Sequence, residues 1–319
     1  MKDNKSDVLI SFVIIGRNEE KNLKRCIDSI HKSLVAIKIS SYQIIYVDAM
    51  STDKSIEIAH SFSEVNVYRV LGGRNAAVGR DIGAREATGR VLFFVDGDME
   101  VYEQFLVNLW NHKINSINED FVGGQRLDIT GKDRKKGRLS NTFPGGSFLI
   151  KREKWELVGG MRTRFKSGEE SDLGLRLMQK GVRFKRKDEF MINHYTVPYL
   201  EGSRIWSSIL TKYIFYSRCV LYRTNIFNRH MYPLLWTLDK TFLFLIASII
   251  ACILFLPVGL IMLLGYLVMV IMRVAKNKIY LPFIQMILYY IVSDTLNIVY
   301  FFTFWPKDIK LEYAEVPRT

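Results

Sequence analysis

Two acidic residues separated by one glycine follow an apolar run in the first third of the chain. Asp96 and Asp98 flank Gly97 directly after Val91–Val95. Carboxylate oxygens are hard ligands that suit Mg²⁺ or Mn²⁺, usually one or two of them together with substrate phosphates. An Asp-Gly-Asp sequence also forms turns readily, so a turn is the alternative. If the apolar run is a buried parallel strand, the pattern predicts a DxD metal site at Asp96 and Asp98.

Three other residues could bind a nucleotide. Asp48 follows the second apolar run, where it either forms a turn with Ser51–Asp53 or accepts a hydrogen bond from a nucleobase. Arg74 and Arg80 flank a predicted helix start, where backbone N–H groups and a guanidinium can bind a diphosphate. The sequence has neither a GxGxxG after its first strand nor a GxxxxGK[ST], which argues against dinucleotide and P-loop sites.

The elements that must position these residues alternate between strand and helix. Strand-like runs and helical patterns follow in the order Leu9–Ile15, Glu19–Ser33, Gln43–Val47, Thr52–Phe62, Val65–Leu71, Asn75–Ala87 and Val91–Val95. Apolar strands in βαβα order predict an α/β fold with a parallel sheet covered on both faces. Ligands of such sheets bind beyond the carboxyl ends of the strands. Polar residues follow four of the runs, so we expect one polar crevice that includes Arg17, Asn18 and Glu19.

The order of these motifs resembles the family 2 glycosyltransferases, which have the GT-A fold. The matching segments are Ile14–Glu20, Val47–Asp53, Gly79–Gly83, Asp96–Asp98, Glu169–Leu173 and Arg176–Leu177, and the resemblance covers roughly residues 8–197. It implies a nucleotide-diphospho-sugar donor, a divalent metal and inversion at the anomeric carbon.

Residue roles follow from the resemblance by position. It implies that Asp48 reads the base, that Arg80 faces the diphosphate, and that Asp96 and Asp98 hold the sugar nucleotide and the metal. Glu170 stands where the family usually has an Asp that acts as the catalytic base. Two departures are the extra methylene of Glu170 and an Asp at position 81, where the family commonly has Asn.

The acceptor side is predicted around that base. Glu169 and Asp172 belong to the acidic motif, and Gly145 and Gly146 in Pro144–Ser147 would let backbone approach the acceptor. His194 resembles a family His near the metal or phosphate, with a packed His as the alternative. Glu170 also has an alternative, because Ser167–Glu170 reads as a capping box. The basic loop Lys132–Arg138 is either a solvated linker or a neighbour of an acceptor phosphate.

Composition excludes several classes of protein. The 319-residue chain is 49% hydrophobic, which is too apolar for disorder, and its three cysteines are too few for a disulfide scaffold. The net charge of +13 favours an anionic membrane surface or phosphate-bearing ligands. With no basic stripe and no recognisable nucleic-acid module, nucleic acid is not expected as a partner.

The apolar residues are concentrated in the last third. Thr241–Trp305 has only four charged residues, Arg273, Lys276, Lys278 and Asp294. A crossing takes roughly 20 apolar residues. We expect a hairpin of 236–256 and 258–273 that turns near Pro257, because the basic loop Arg273–Lys278 then returns to the cytoplasm. Tyr280–Trp305 adds a third crossing with the C-terminus outside, and two helices are the alternative.

Polar features flank and interrupt the apolar region. Ser203–Tyr232 mixes basic and aromatic residues, with apolar positions at helical spacing, and predicts an interfacial amphipathic helix or a helix covering the globular core. Asp294, with Asn297 one turn later, predicts an interhelix polar contact or a contact to a lipid substrate. The N-terminal run Val8–Ile15 is too short for a span and lacks a cleavage site, so its domain is expected in the cytoplasm.

The sequence therefore predicts four regions: a GT-A, Rossmann-like, mostly parallel α/β domain at 1–200, an interfacial segment at 201–235, two or three membrane helices at 236–305 and a tail at 306–319. The expected function is inverting sugar transfer from a nucleotide-diphospho-sugar to a polyprenyl-diphosphate-linked glycan or similar glycolipid at the cell membrane. A polyprenyl-phosphate glycosyltransferase and a non-catalytic sugar-nucleotide-binding scaffold are the alternatives. Donor sugar, acceptor and oligomeric state stay open.

Overall fold

The structure, a computed structural model, describes residues 8–130, 133–136, 143, 145–195, 202–276 and 281–318. It divides into two compact units. The first comprises Met1–Val197 together with Lys307–Thr319, and the second comprises Pro198–Pro306.

The first unit is built from strands and helices in alternation. Its strands are β1 (Ile10–Gly16), β2 (Tyr42–Asp48), β3 (Val65–Val70), β4 (Val91–Asp96), β5 (Met99–Val101), β6 (Trp110–Asn111), β7 (Ser116–Ile117), β8 (Phe121–Thr130), β9 (Asp133–Lys136), β10 (Phe148–Lys151), β11 (Lys185–Tyr195) and β12 (Tyr313–Glu315). Its helices are α1 (Leu23–Ala36), α2 (Ser55–His60), α3 (Ala76–Glu86), α4 (Glu103–Leu109), α5 (Arg152–Leu157) and α6 (Glu169–Gln179). The strands and helices predicted between residues 9 and 95 are all present, with ends shifted by a few residues.

The main sheet has the order β12-β3-β2-β1-β4-β10-β8-β11-β5, with β9 paired to β8. The neighbours β3, β2, β1 and β4 are parallel, as are β8 and β11. The pairs β4–β10, β10–β8, β11–β5 and β12–β3 are antiparallel, so the sheet is mixed. The predicted α/β fold is confirmed, and the parallel strands β1 to β4 are those that end at the predicted crevice.

Apolar side chains fill both faces of this sheet. On one face α1 buries Leu23, Ile27 and Ile30 against the core. On the other face α3 packs so closely that a Cβ at Gly83 would lie 2.2 Å from Cγ1 of Val13. Because strands buried on both faces cannot slip without exposing apolar side chains, the core fixes where their carboxyl ends lie.

The C-terminal segment completes the first unit. β12 pairs antiparallel with β3, and the N–H of Leu71 donates to the carbonyl of Glu312 at 2.8 Å. Asp308 accepts from the backbone N–H of Arg164 at 3.0 Å and pairs with its guanidinium. Residues 307–318 therefore belong to the first unit, where the sequence predicted a tail that follows the membrane helices.

The second unit is entirely helical in its described part. It contains α7 (Gly202–Leu210), α8 (Tyr213–Phe215), a π-helical turn (Tyr216–Val220), α9 (Leu221–Thr224), α10 (Met231–Leu238), α11 (Lys240–Leu254), α12 (Leu256–Lys276) and α13 (Phe283–Thr303). The predicted amphipathic segment is helical, but it is broken into short pieces rather than forming one helix. The apolar stretch breaks at Phe255, two residues before Pro257, close to the predicted turn.

Two helices of the described residues are long and apolar enough to cross a membrane, namely α12 and α13. The pair α10 and α11 qualifies only when taken together, and the two helices are bent by 94°. Exposed large apolar side chains cover these helices, among them Leu254, Ile261 and Phe302. Such surfaces are costly in water and typical of membrane association.

A buried ion cluster ties the helices of the second unit together. Arg218 in the π-helical turn donates to Asp294 of α13 at 2.6 Å and to Asp239 at 2.9 Å. Tyr266 of α12 donates to the second oxygen of Asp294 at 3.3 Å. Charges in an apolar setting must be paired, so this cluster fixes how the helices pack. The predicted interhelix contact of Asp294 is confirmed.

The position of β12 limits the topology of the second unit. The chain leaves the first unit after Val197 and belongs to it again from Lys307. A chain that returns to the same side of a membrane has crossed it an even number of times. If the apolar helices cross a membrane, three crossings with the C-terminus outside do not fit this pairing, because β12 must lie on the side that holds β3.

Cysteine labelling checks this topology. In a Cys252→Ser background, we expect Ala314→Cys on β12 and Lys32→Cys on α1, both exposed, to show the same labelling with a membrane-impermeant maleimide. Both should react only after the cells are permeabilised if the first unit is cytoplasmic. Labelling of Ala314→Cys in intact cells without labelling of Lys32→Cys would contradict the even number of crossings.

Candidate active site

The site lies at the carboxyl ends of β1, β2 and β4. The parallel register pairs Gly16 with Asp48 and Ile15 with Asp96, so the two acidic residues end their strands on either side of β1. This is the edge at which the sequence placed a polar crevice. The arrangement follows from the register alone, since parallel neighbours of similar length end together.

Asp48 is fully buried. One of its oxygens accepts from the backbone N–H of Ser51 at 2.9 Å, and the other accepts from the hydroxyl of Tyr46 at 3.3 Å. The guanidinium of Arg69 lies 3.7 Å away. These contacts are those of the turn-forming alternative, and the nucleobase contact of Asp48 stays a prediction.

The segment after β1 is held to the start of α2. Asn18, with φ of 59°, accepts from the N–H of Thr52 at 2.9 Å, and the N–H of Glu19 donates to Ser55 at 2.8 Å. Burial and the nearby charge of Asp98 raise the pKa of Glu19 to about 7. Arg17 is exposed beside it. The three residues predicted here do lie at the crevice.

Arg74 is exposed at the same edge, with its guanidinium 3.1 Å from Sδ of Met50. It lies between β3 and α3, and Asn75 caps α3 by accepting from the N–H of Val78 at 2.8 Å. The position is therefore open to a charged ligand at the helix start. This matches the diphosphate contact predicted for Arg74, which stays a prediction.

Arg80 lies inside the protein, with 2% of its side chain exposed. Its Nη2 donates to Asp96 at 2.9 Å and to the carbonyl of Gly146 at 3.2 Å. Its Nη1 donates to Glu169 at 3.2 Å and to Glu170 at 3.1 Å. Burial lowers the pKa of Arg80, but the three carboxylates outweigh it and raise that pKa. The guanidinium thus binds groups of the protein itself.

The two glutamates open α6. Gly168 precedes the helix with φ of 82°, a left-handed conformation that glycine adopts readily. Because Gly168 is the N-cap residue, the alternative capping box with Ser167 in that place is not formed. Glu170 accepts instead from the N–H of Gly146 at 3.2 Å. Burial, followed by the charge of Glu170, raises the pKa of Glu169 to about 8.

Asp98, two residues after Asp96, contacts His194. Nε2 of His194 lies 3.2 Å from Asp98, and Nδ1 lies 3.0 Å from Asp128. Burial lowers the pKa of His194, but the hydrogen bonds and charge of Asp98 and the hydrogen bond to Asp128 outweigh it and raise that pKa. Both ring nitrogens of His194 face carboxylates, so the ring is placed to hold Asp98 in position rather than to coordinate an ion.

A divalent ion shared with a substrate fits these residues. Among the described residues, no three His, Cys, Asp or Glu side chains form a metal cage. However, Oδ1 of Asp98 is buried and has no hydrogen-bond partner in the described part of the chain. Burial also raises the pKa of Asp96 to about 6. An oxygen without a partner is costly unless a ligand meets it, and Mg²⁺ is often held by only one or two carboxylates plus phosphates.

Other predicted residues are placed differently. Asp172 is fully buried between Arg162 and Arg176, at 2.9 Å from each, so the structure does not bring it to the acceptor side. Gly145 is exposed, and Gly146 adopts φ of 84° next to Asp96. Of the basic loop Lys132–Arg138, residues 133–136 form β9, whereas Lys132, Gly137 and Arg138, like Pro144, lie outside the described residues.

Sequence reasoning missed two groups of the site. Asp128, the partner of His194, lies on β8, where its parallel pairing with β11 brings the two residues level. The second is the backbone of Gly146, a residue that the sequence placed on the acceptor side without predicting that its N–H donates to Glu170 and its carbonyl accepts from Arg80. Neither has a local sequence signal, since the partners of both residues are tens of residues away along the chain.

The α/β sheet with acidic groups at the carboxyl ends of its parallel strands is the arrangement that the resemblance to the glycosyltransferases implies. Residues 11–172 match the family described as Glycosyl transferase family 2. The match covers half of the chain, and the protein therefore belongs to glycosyl transferase family 2.

Relatives agree with this assignment. Glycosyltransferase AglE of Haloferax volcanii is 27% identical over 149 residues, covering 45% of this chain and 43% of the relative. An uncharacterized glycosyltransferase of Haemophilus influenzae is 29% identical over 176 residues, covering 50% of this chain and 60% of the relative. The matched part thus spans about half the length of these curated relatives.

A solved structure shares the fold over most of the chain. The mannosyltransferase PcManGT from Pyrobaculum calidifontis, in complex with GDP-Man and Mn²⁺, superposes with a TM-score of 0.57 and 14% identity. The superposition covers 92% of this chain and 88% of that one. At this identity the similarity establishes the fold.

The raised pKa of Glu169 predicts a pH-dependent stability. Between the usual value near 4.5 and about 8, the folded protein binds a proton at Glu169 that the unfolded chain has released, so stability falls as pH rises. We expect Glu169→Gln to lose less of its thermal stability between about pH 5.5 and about pH 8 than the unmodified protein. Differential scanning fluorimetry in detergent measures both midpoints.

The control is Glu153→Gln, because that side chain is 69% exposed. It should keep the pH dependence of the unmodified protein. Equal pH dependence of Glu169→Gln and the unmodified protein would show that Glu169 is ionised in the folded state.

Proposed function

We propose that the protein is an inverting glycosyltransferase that moves a sugar from a nucleotide-diphospho-sugar to a hydroxyl of a membrane-associated glycan acceptor. The observation that carries this proposal is the position of Glu170. Its carboxylate is 15% exposed and lies 3.1 Å from the guanidinium that also holds Asp96. One arginine side chain therefore separates the proposed base from the proposed donor site.

Glu170 acts in this proposal as the general base. A sugar hydroxyl is a weak nucleophile, and a carboxylate within hydrogen-bond reach removes its proton as the new bond forms. The acceptor oxygen bonds to the anomeric carbon on the face opposite the diphosphate, and the bond from that carbon to the diphosphate oxygen breaks. The proton goes to Glu170, and the configuration at the anomeric carbon inverts.

The donor side uses the residues at the strand ends. Arg17, Asn18, Glu19, Asp48 and Arg74 surround the proposed nucleotide, with Arg74 at a helix start that suits a diphosphate. Asp96 and Asp98 would hold Mg²⁺ or Mn²⁺ together with that diphosphate, and His194 would orient Asp98. The ion supplies positive charge that stabilises the departing diphosphate.

The membrane-associated acceptor is proposed from the second unit. Helices α12 and α13 are apolar enough to cross a membrane. A transferase anchored beside a bilayer meets acceptors carried on lipids at high local concentration. We therefore propose a lipid-linked acceptor, with polyprenyl-diphosphate-linked glycans as the leading class, and a multi-pass location in the cell membrane with the first unit in the cytoplasm.

Glu170→Gln tests the base. We expect the amide to keep the shape of the side chain and to lower the rate of transfer by about 10²- to 10⁴-fold, because it cannot take up the proton. Binding of a nucleoside diphosphate, measured by calorimetry with Mn²⁺ present, should be unchanged. The assay offers a panel of labelled sugar nucleotides with membrane lipid extract, and mass spectrometry identifies the product.

Glu153→Gln is again the matched control and should transfer at the normal rate. Near-normal transfer by Glu170→Gln would contradict the base assignment and favour an acceptor that is already an anion, such as a polyprenyl phosphate. Nucleotide binding by the unmodified protein without transfer or hydrolysis of any donor would favour the scaffold alternative.

The proposed metal at Asp96 and Asp98 gives a second prediction, that transfer depends on a divalent ion. Treatment with a chelator should lower transfer on the order of 100-fold, and added Mn²⁺ should restore it, because the diphosphate then leaves with its charge stabilised. Asp98→Asn should weaken Mn²⁺-dependent nucleotide binding in calorimetry. Full activity in the presence of the chelator would contradict a metal at Asp96 and Asp98.

A further inference from the structure

We propose that Arg80 is a positioning residue that holds the base Glu170 and the donor-side Asp96 at a fixed distance. This proposal rests on the proposed function. It differs from the role implied by the family resemblance, in which Arg80 faces the diphosphate.

The contacts of Arg80 are all with groups of the protein. Nη1 donates to Glu169 and Glu170, and Nη2 donates to Asp96 and to the carbonyl of Gly146. Only 2% of the side chain is exposed. A guanidinium with both outer nitrogens occupied and almost no exposed surface is poorly placed to bind a soluble ligand.

The fork shape of the guanidinium matters here. Its two outer nitrogens are held in one plane at a fixed separation, so partners on Nη1 and Nη2 are held apart by the arginine itself. A lysine presents a compact charge on a flexible stem and cannot impose that separation. Asp96 ends β4 and Glu170 opens α6, so the arginine connects two elements that have no other polar link among the contacts described above.

Gly146 closes the arrangement. Its N–H donates to Oε1 of Glu170, and its carbonyl accepts from Arg80. A Cβ at this position would lie 2.7 Å from an oxygen of Asp96, and φ is 84°. Glycine is therefore required at the point where backbone, base and donor-side carboxylate meet.

The contacts of Glu170 with Arg80 and Gly146 leave one of its two carboxylate oxygens available. In the described part of the chain, the hydrogen bonds of Glu170 from Arg80 and Gly146 both fall on Oε1. The carboxylate is thus held at one oxygen, which sets the direction of Oε2. A base directed in this way favours a single approach of the acceptor hydroxyl, and small misplacement of such a group is costly to the rate.

The test separates positioning from ligand binding. We expect Arg80→Lys to lower kcat by about 100-fold, because the base is no longer directed. The Kd for a nucleoside diphosphate with Mn²⁺ should change by less than about threefold, because binding of the ground state does not use Arg80. Arg85→Lys, on the same helix but 61% exposed, is the matched control and should leave both values unchanged.

A weaker nucleotide Kd with unchanged kcat would overturn the proposal and assign Arg80 to the diphosphate. Unchanged kcat and Kd would also overturn it. If Arg80→Lys does not fold, Gly146→Ala disturbs the same arrangement without altering any charge and should likewise lower kcat; a normal kcat in that variant would overturn the proposal.

A stability measurement does not depend on sugar transfer. Thermal unfolding of Arg80→Lys, Glu170→Gln and the double variant forms a double-mutant cycle, and the two changes should be clearly non-additive because the side chains are in contact. Additive effects would overturn the contact itself. Non-additivity in a protein that transfers no sugar from any donor would instead refute the proposed function while keeping the link between Arg80 and Glu170.

Discussion

The buried charge of Arg80 is the constraint on which the site depends. A guanidinium that is removed from water must be met by carboxylates, and here Asp96, Glu169 and Glu170 meet it. This requirement brings the end of β4 and the start of α6 to one point, although the two elements are far apart in the chain. Burial, followed by the charge of Glu170, raises the pKa of Glu169 even though the arginine opposes it.

The sequence predicted the crevice well because its signals are local. Apolar runs of strand length and polar residues at their ends are visible within a few positions, and parallel pairing then aligns Asp48 with Asp96. The role of Arg80 was not predictable in this way. Whether an arginine meets a ligand or the protein depends on residues up to 90 positions away, as its contact with Glu170 shows.

The C-terminal strand and the breaks in the amphipathic segment were unpredictable for the same physical reason. β12 has three residues without clear alternation, and its pairing with β3 depends on the position of a partner about 240 residues earlier. The amphipathic segment had the correct period, but the helix is interrupted at Lys212, whose φ is 60°, and again at residues 225–230, and Arg218 reaches two aspartates from a π-helical turn. Periodicity predicts which face is buried, whereas breaks in a helix depend on which partners the buried polar groups must reach.

The return of the C-terminal segment to β3 has a consequence for how the molecule is made. During synthesis the parallel strands and their helices emerge first, yet β3 stays an unpaired sheet edge until residues 313–315 have been translated. Unpaired edges are where chains associate wrongly. Because the apolar helices are translated between these two events, the edge of β3 can be covered only after all of them have been made, so the first unit is completed by the last residues to be synthesised.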